Sequence, residues 1–205
     1  RWLRAGMNGR LAYLGRQITR RLDPGLVLEG ARSVLVLALS YHSAINTPGS
    51  PLSGNISRYA RGEDYHAIMG DMLESLLAAI KGMVPSVRGR CYVDTGPVME
   101  KAWGARAAVG WMGKNTLLLS RDLGSWFFIG IILLDLELEP DQPREDSCGH
   151  CDRCIQACPS GAIVAPYLLD VRRCVSYLTQ LRGPIPRAMR PLMGNRIFGC
   201  DVCQE

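Results

Sequence analysis

Seven of the eight cysteines crowd the last third of the chain, at 148, 151, 154, 158, 174, 200 and 203; the eighth is Cys91. In the run Cys148-x2-Cys151-x2-Cys154-x3-Cys158-Pro159, three thiols stand at two-residue gaps and a fourth precedes a proline. Thiols so close in sequence seldom pair with one another as disulfides. Disulfide frameworks also belong to smaller secreted chains. The clustering therefore points to metal or iron–sulfur ligation in a reducing compartment, and we expect a cytoplasmic protein. Structural zinc sites usually carry two well-separated C-x2-C pairs. Three successive two-residue gaps followed by Cys-Pro instead fit 4Fe–4S cubanes. The three close thiolates wrap one cluster, and the Cys-Pro thiolate ligates its neighbour.

The same run occurs in bacterial ferredoxins, so the tail resembles a two-cluster ferredoxin-like unit. Cys158, Cys174, Cys200 and Cys203 would complete one cubane. Cys148, Cys151 and Cys154 make three ligands of the other. By the x3-Cys-Pro spacing, its fourth ligand is expected just beyond Glu205, so a chain ending there should hold that cluster weakly or as a three-iron form. Because the chain opens on Arg1 rather than Met, we expect a fragment at both ends. Cys91 lies more than fifty residues upstream of the run; it is expected to be a buried or site-lining thiol.

What must position these ligands is a larger first unit. The 205 residues suffice for one large or two small domains, and a hydrophobic fraction of 47% with 21% charged is ordinary for a globular protein. The longest apolar run, "WFFIGIILLDL", is too short to span a membrane. Residues 1–22 are expected to be helical, with Trp2, Leu3, Met7, Leu11 and Leu14 on one face. "SVLVLALSY" (33–41) is expected to be a central strand, "NTPGSPLSGN" (46–55) a loop, and 66–84 an amphipathic helix burying Ile68, Met69, Met72, Leu73, Leu76, Leu77 and Ile80. "RCYVDTG" (90–96) is expected to be a strand ending in a turn, before a helix from Pro97. "TLLLS" and "SWFFIGIILLDLEL" are expected to be two strands joined by a hairpin at "RDLG". The acidic, Pro-containing "EPDQPRED" (139–146) marks a linker. The expected architecture is α+β, a mixed α/β domain at 1–143 followed by the small cluster domain at 144–205. No phosphate-cradling G-x-x-x-x-G-K-[ST] loop is present.

Several separated stretches then resemble one family in order along the chain: "ISRYARGEDYH" (56–66), "VDTGPVMEKAWGARAAVGWMGKNT" (93–116), the cysteine run, "LDVRRCVSYLT" (169–179) and "GNRIFGCDVCQE" (194–205). Together they are similar to the epoxyqueuosine reductases, iron–sulfur enzymes that use cobalamin in tRNA modification. The resemblance implies a cobalamin-binding domain, two 4Fe–4S clusters, and reduction of epoxyqueuosine at the tRNA wobble position to queuosine. It implies that Asp94, in "VDTGP", is the proton donor and lies at the cofactor. It offers Ser57, Arg58, Tyr59, Lys114, Asn115, Ser176 and Asp201 as cobalamin contacts. Each also has a plainer role: Asp94 as a helix cap, Arg58 as a partner of Glu63 or Asp64, Tyr59 as core. The resemblance also implies two partners, tRNA and an external electron donor, and we expect a monomer without membrane attachment.

Net charge is +5, and of the basic residues 21 are Arg and three are Lys. Seven Arg fall in residues 1–32 and six in 172–196. Arg-rich ends suit phosphate contact, although a GC-rich coding bias would also produce them. With the resemblance, Arg172, Arg173, Arg182, Arg187, Arg190 and Arg61 are candidates for the anticodon arm. Two other functions remain open at this level: a reductive dehalogenase-like enzyme acting on a small molecule, and a ferredoxin-type electron carrier.

Overall fold

A computed structural model describes residues 1–43 and 53–205. Most of the expected loop at 46–55 lies outside the described residues. The helices are α1 (Ile18–Leu22), α2 (Tyr65–Met83), α3 (Glu100–Arg106), α4 (Arg153–Ala157), α5 (Val175–Thr179) and α6 (Arg190–Met193). The strands are β1 (Ser33–Ser40), β2 (Asn55–Ile56), β3 (Gly89–Val93), β4 (Trp111–Met112), β5 (Leu118–Leu119), β6 (Phe127–Leu134), β7 (Ile163–Ala165), β8 (Leu168–Leu169) and β9 (Arg196–Phe198).

The central element is β6, not β1. Its sequence "FFIGIILL" is apolar at nearly every position, which suits a strand covered on both faces. β1 and β3 flank it antiparallel, giving the order β1-β6-β3. Alternate residues of β6 serve two cores, as the period of a strand requires. Ile132 and Leu134 pack on Met69, Leu73 and Leu77 of α2, while Ile131 and Leu133 pack on Val27, Leu28 and Val98. At Gly130 a Cβ would meet Met69 Cε at 2.7 Å and a Leu73 methyl at 2.9 Å, so a side chain there would push these α2 side chains aside. The α2 stripe is narrower than its periodicity implies: Met69, Leu73 and Leu77 are buried, but Ile68 and Met72 are exposed.

Three expectations are corrected. Residues 1–22 form turns, a short 3-10 segment and only a five-residue helix. Gly6 and Gly9 sit at positive φ and interrupt any longer helix. Instead the arm packs on the cysteine-rich half: Trp2 Nε1 donates to the Leu169 carbonyl at 2.6 Å and Val171 N to the Met7 carbonyl at 2.9 Å. Second, the helix after "VDTGP" starts at Glu100 rather than Pro97, and no side chain caps it. Third, "TLLLS" pairs through β5 with β4, Trp111 opposite Leu119, rather than with β6; around "RDLG" there is only a single bridge, Ser120 to Gly124.

Residues 137–148 adopt neither helix nor strand. Beyond them the short elements α4 to β9 carry the cysteine loops. The two halves are joined again by β2, which runs parallel to β9. No described helix is long and apolar enough to cross a membrane.

Candidate active site and cysteine cradle

Asp94 follows directly on β3, with φ of 44°. This left-handed conformation suits Asp and Asn better than other side-chain-bearing residues. It turns the carboxyl toward the start of α2. There the Tyr65 hydroxyl donates to Asp94 Oδ2, and His66 Nε2 lies 3.0 Å from Asp94 Oδ1. The other imidazole nitrogen, Nδ1, lies 2.7 Å from Asp64 Oδ1. Asp64 also caps α2 by accepting from the His66 backbone N–H at 3.0 Å. His66 therefore bridges two carboxylates. Partial burial lowers its pKa, but the hydrogen bonds to Asp64 and Asp94 outweigh that and the net shift is upward. Burial, then the hydrogen bond to Asp94, raises the Tyr65 pKa, so the phenol remains a donor. Tyr65 is fixed by stacking on Phe128, with ring centroids 3.9 Å apart and planes 6° from parallel.

Asp94 lines a cavity of about 880 Å³ with Arg21, Glu100, Lys101, Thr116 and Tyr167. Its wall carries two buried polar atoms without a hydrogen-bond partner, Arg21 Nε and Glu100 Oε1. Burial raises the Glu100 pKa. It lowers that of Lys101, whose ammonium donates to the Thr116 carbonyl at 2.8 Å.

A second cavity, of about 370 Å³, is lined by Cys158, Cys174, Cys200 and Cys203. It shares Lys101, Thr116 and Leu169 with the first, so the two cavities meet along a common wall. Burial pushes the Cys203 thiol up to about 12, and the charges of Cys174, Cys200, Cys158 and Cys154 add to this. At Cys158 burial acts the same way, but the Ala162 N–H, 3.3 Å from the sulfur, and its neighbours bring the net shift below the ordinary value. Cys148, Cys151 and Cys154 form a separate loop. Burial, then the charges of the other two thiols, raises the Cys154 pKa. Among the described residues, no three His, Cys, Asp or Glu side chains converge tightly enough to chelate one ion. The four thiols stand around a void, a shape that admits a multi-atom cluster. Cys91 lies elsewhere, on β3 beside Glu74, its thiol pushed up to about 12 by burial and then by that carboxylate.

Of the residues expected at a cobalamin, Ser57, Tyr59, Asn115 and Ser176 line the cysteine cavity. Asp201 lies behind them, accepting from the Ser57 hydroxyl and, at 2.8 Å, from Arg58 N. The Arg58 guanidinium lies 4.4 Å from the Trp126 ring centre. Lys114 reaches away, to the carbonyls of Gly149 and Cys151. Tyr65, His66, Arg21 and Glu100 were not singled out as site residues in the sequence. The Asp64-x-His66 spacing at a helix start was a local signal for one contact of His66; nothing local pointed to Asp94.

Comparison with known proteins agrees along the chain. Residues 21–95 match the family model described as epoxyqueuosine reductase QueG, DUF1730, and residues 147–205 match a 4Fe-4S double cluster binding domain. An epoxyqueuosine reductase of Leadbetterella byssophila is 44% identical over 206 residues, covering 100% of this chain and 67% of that protein. A crystal structure of selenomethionine-labeled epoxyqueuosine reductase superposes with a TM-score of 0.90 at 34% identity, covering 98% of this chain and 56% of the other. An epoxyqueuosine reductase crystallised with an epoxyqueuosine-modified tRNA-Tyr stem loop gives 0.88 at 35% identity, over 92% and 51%. The chain thus spans between 51% and 67% of the length of these three proteins. On the identity and coverage of these matches, the chain belongs to the epoxyqueuosine reductase family.

Proposed function

We propose that the chain carries the reducing centre for converting epoxyqueuosine to queuosine in the tRNA wobble position. The observation that carries this reading is the pairing of two cavities across one wall. On one side is a carboxyl held by Tyr65 and His66; on the other are four thiols. The overall change takes the epoxide, two electrons and two protons to the cyclopentene and water. It needs an acid on one side and an electron supply on the other.

Cys158, Cys174, Cys200 and Cys203 would hold one 4Fe–4S cluster, and Cys148, Cys151 and Cys154 three corners of the other. Ser57, Tyr59, Asn115 and Ser176 would hold cobalamin, with Arg58 and Asp201 supporting that wall. When bound, cobalamin supplies a reducible cobalt that passes electrons to the epoxide carbons. Asp94 gives its proton to the epoxide oxygen as the C–O bond breaks, which keeps an alkoxide from accumulating. Tyr65 orients the carboxyl, and His66 sets its charge and returns a proton from solvent. Arg182 and Arg187, both exposed, suit the phosphates of the anticodon arm. Arg172 is bound by Asp170 through two hydrogen bonds, of 2.8 and 2.7 Å, and contributes less. An external donor supplies the electrons to a monomer in a reducing cytoplasm.

The test is anaerobic incubation of the protein with cobalamin, a low-potential reductant and epoxyqueuosine-bearing tRNA, followed by nucleoside mass spectrometry. Queuosine should form only when all components are present. A preparation loaded with clusters and cobalamin that leaves epoxyqueuosine unchanged overturns the reading.

A further inference from the structure

The β4–β5 hairpin belongs to the first half of the chain, yet its side chains reach both sets of cysteines. Trp111 Nε1 donates to Cys148 Sγ at 3.4 Å. Lys114 Nζ donates to the carbonyls of Gly149 at 2.6 Å and Cys151 at 2.8 Å. The next residue turns the other way: Asn115 Nδ2 donates to the Cys203 carbonyl at 2.9 Å. Adjacent residues thus hold the two cysteine loops from one turn.

That turn is well fixed. Leu117 N donates to Asn115 Oδ1 at 3.1 Å, and Asn115 is 5% exposed. At Gly110 a Cβ would stand 1.8 Å from the Leu119 carbonyl oxygen, so the hairpin closes only with glycine there. The hairpin acts unequally on the two cysteine sets. It gives Cys148 a direct N–H to sulfur and brings an ammonium against the same loop. Among the described residues, the hydrogen bond it makes to the other set goes to a backbone carbonyl. The two sets also differ in surroundings: the first includes the exposed Cys151, whereas Cys158, Cys174, Cys200 and Cys203 are all half-buried and line one cavity.

Hydrogen bonds to cluster sulfurs and nearby positive charge favour the reduced cluster, which carries one more negative charge. We propose that Trp111 and Lys114 are positioning residues that raise the potential of the cluster held by Cys148, Cys151 and Cys154. The solvent-side cluster is then the one an external donor reduces first. This rests on the cluster reading given above.

The experiment is a potentiometric titration of the full-length protein carrying both cubanes, followed by EPR and visible absorption. Trp111→Phe keeps an aromatic ring but removes the donor. One of the two reduction waves should shift downward by roughly tenfold in its reduced-to-oxidised ratio, about 59 mV for a one-electron couple. Lys114→Gln should move the same wave in the same direction, and the other wave should stay in place. Unchanged waves, or equal shifts in both, overturn the inference. So does a Trp111→Phe protein that loses iron from the first site while Lys114→Gln leaves the potential alone, because Trp111 would then only retain the cluster. Wild-type protein that binds no cubanes overturns the underlying cluster reading instead, so the two failures are distinguishable.

Discussion

Asp94→Asn is the sharpest perturbation of the proposed chemistry because the structure makes it clean. At φ of 44° most side-chain-bearing residues would be strained by about 1–2 kcal/mol, but Asn tolerates this region as Asp does. Asn also keeps a carbonyl oxygen that can accept from the Tyr65 hydroxyl. What it loses is the ability to take up and give a proton, and the negative charge that the ionised carboxyl presents to His66, 3.0 Å away. If Asp94 protonates the departing oxygen, turnover should fall about 10²–10⁴-fold. At 1.36 kcal/mol per tenfold, that is roughly 2.7–5.4 kcal/mol of barrier. The backbone at 94 and cobalamin absorption should be unchanged. A second readout needs neither cofactor nor substrate: the His66 pKa, followed by NMR, should move down, because one of the two carboxylates that raise it is gone. The shift should be partial, since Asp64 keeps its contact at 2.7 Å. Turnover within tenfold of wild type would remove Asp94 from the acid role. An unmoved histidine would show that the Asp94–His66 contact is absent in solution. Asp94→Ala, which adds backbone strain, should melt at a lower temperature than Asp94→Asn.

Three further outcomes are expected from the same structure. Because the folded pKa of His66 is raised, its ion pairs stabilise fully below the unfolded value of about 6.5 and are lost as pH rises through the folded value; melting temperature should decline over that window, and Asp64→Asn should flatten the decline. Gly199→Ala places a Cβ 2.3 Å from Ser57 Cβ at a φ of 72°, so urea unfolding should show a loss of about 1–3 kcal/mol, larger than for Ala at the open Gly70. Arg182→Ala should weaken binding of the modified stem loop and reduce the salt dependence by about one phosphate contact; an unchanged slope would place the tRNA elsewhere.

The parts legible in sequence were those whose signal is local. The cysteine spacing needs no fold to be read, and β6 and α2 announce themselves by apolar runs and periodicity. The amino-terminal arm departs from the expected helix because its apolar residues follow a helical spacing while its partners lie elsewhere: Trp2 is held at Leu169, and Gly6 and Gly9 break the helix. The partner of "TLLLS" is not legible in sequence, because the apolar pattern shows that a strand exists but not which strand it meets. The support around Asp94 escaped notice for a similar reason. His66 and Asp94 are 28 residues apart and meet only because α2 and β3 pack side by side. Lys114 and Asn115 were singled out, but their hydrogen bonds to the two cysteine loops depend on the hairpin geometry.

The clasp of β2 against β9 also bears on when the molecule can be finished. Ser57 and Asp201 are 144 positions apart, so at a synthesis rate of about 5–20 residues per second the first waits roughly 7–30 s for the second. The Asp94 corner, whose partners lie 28 and 29 positions away, and the sheet, whose β1 and β6 are both complete once Leu134 is made, can settle within that interval. The cysteine cavity cannot, because Cys200, Cys203 and the strand that closes on β2 are made after most of the rest of its lining. Any cluster that these four thiols hold can therefore be completed only after the closing segment has been translated, onto a scaffold whose acid corner is already in place.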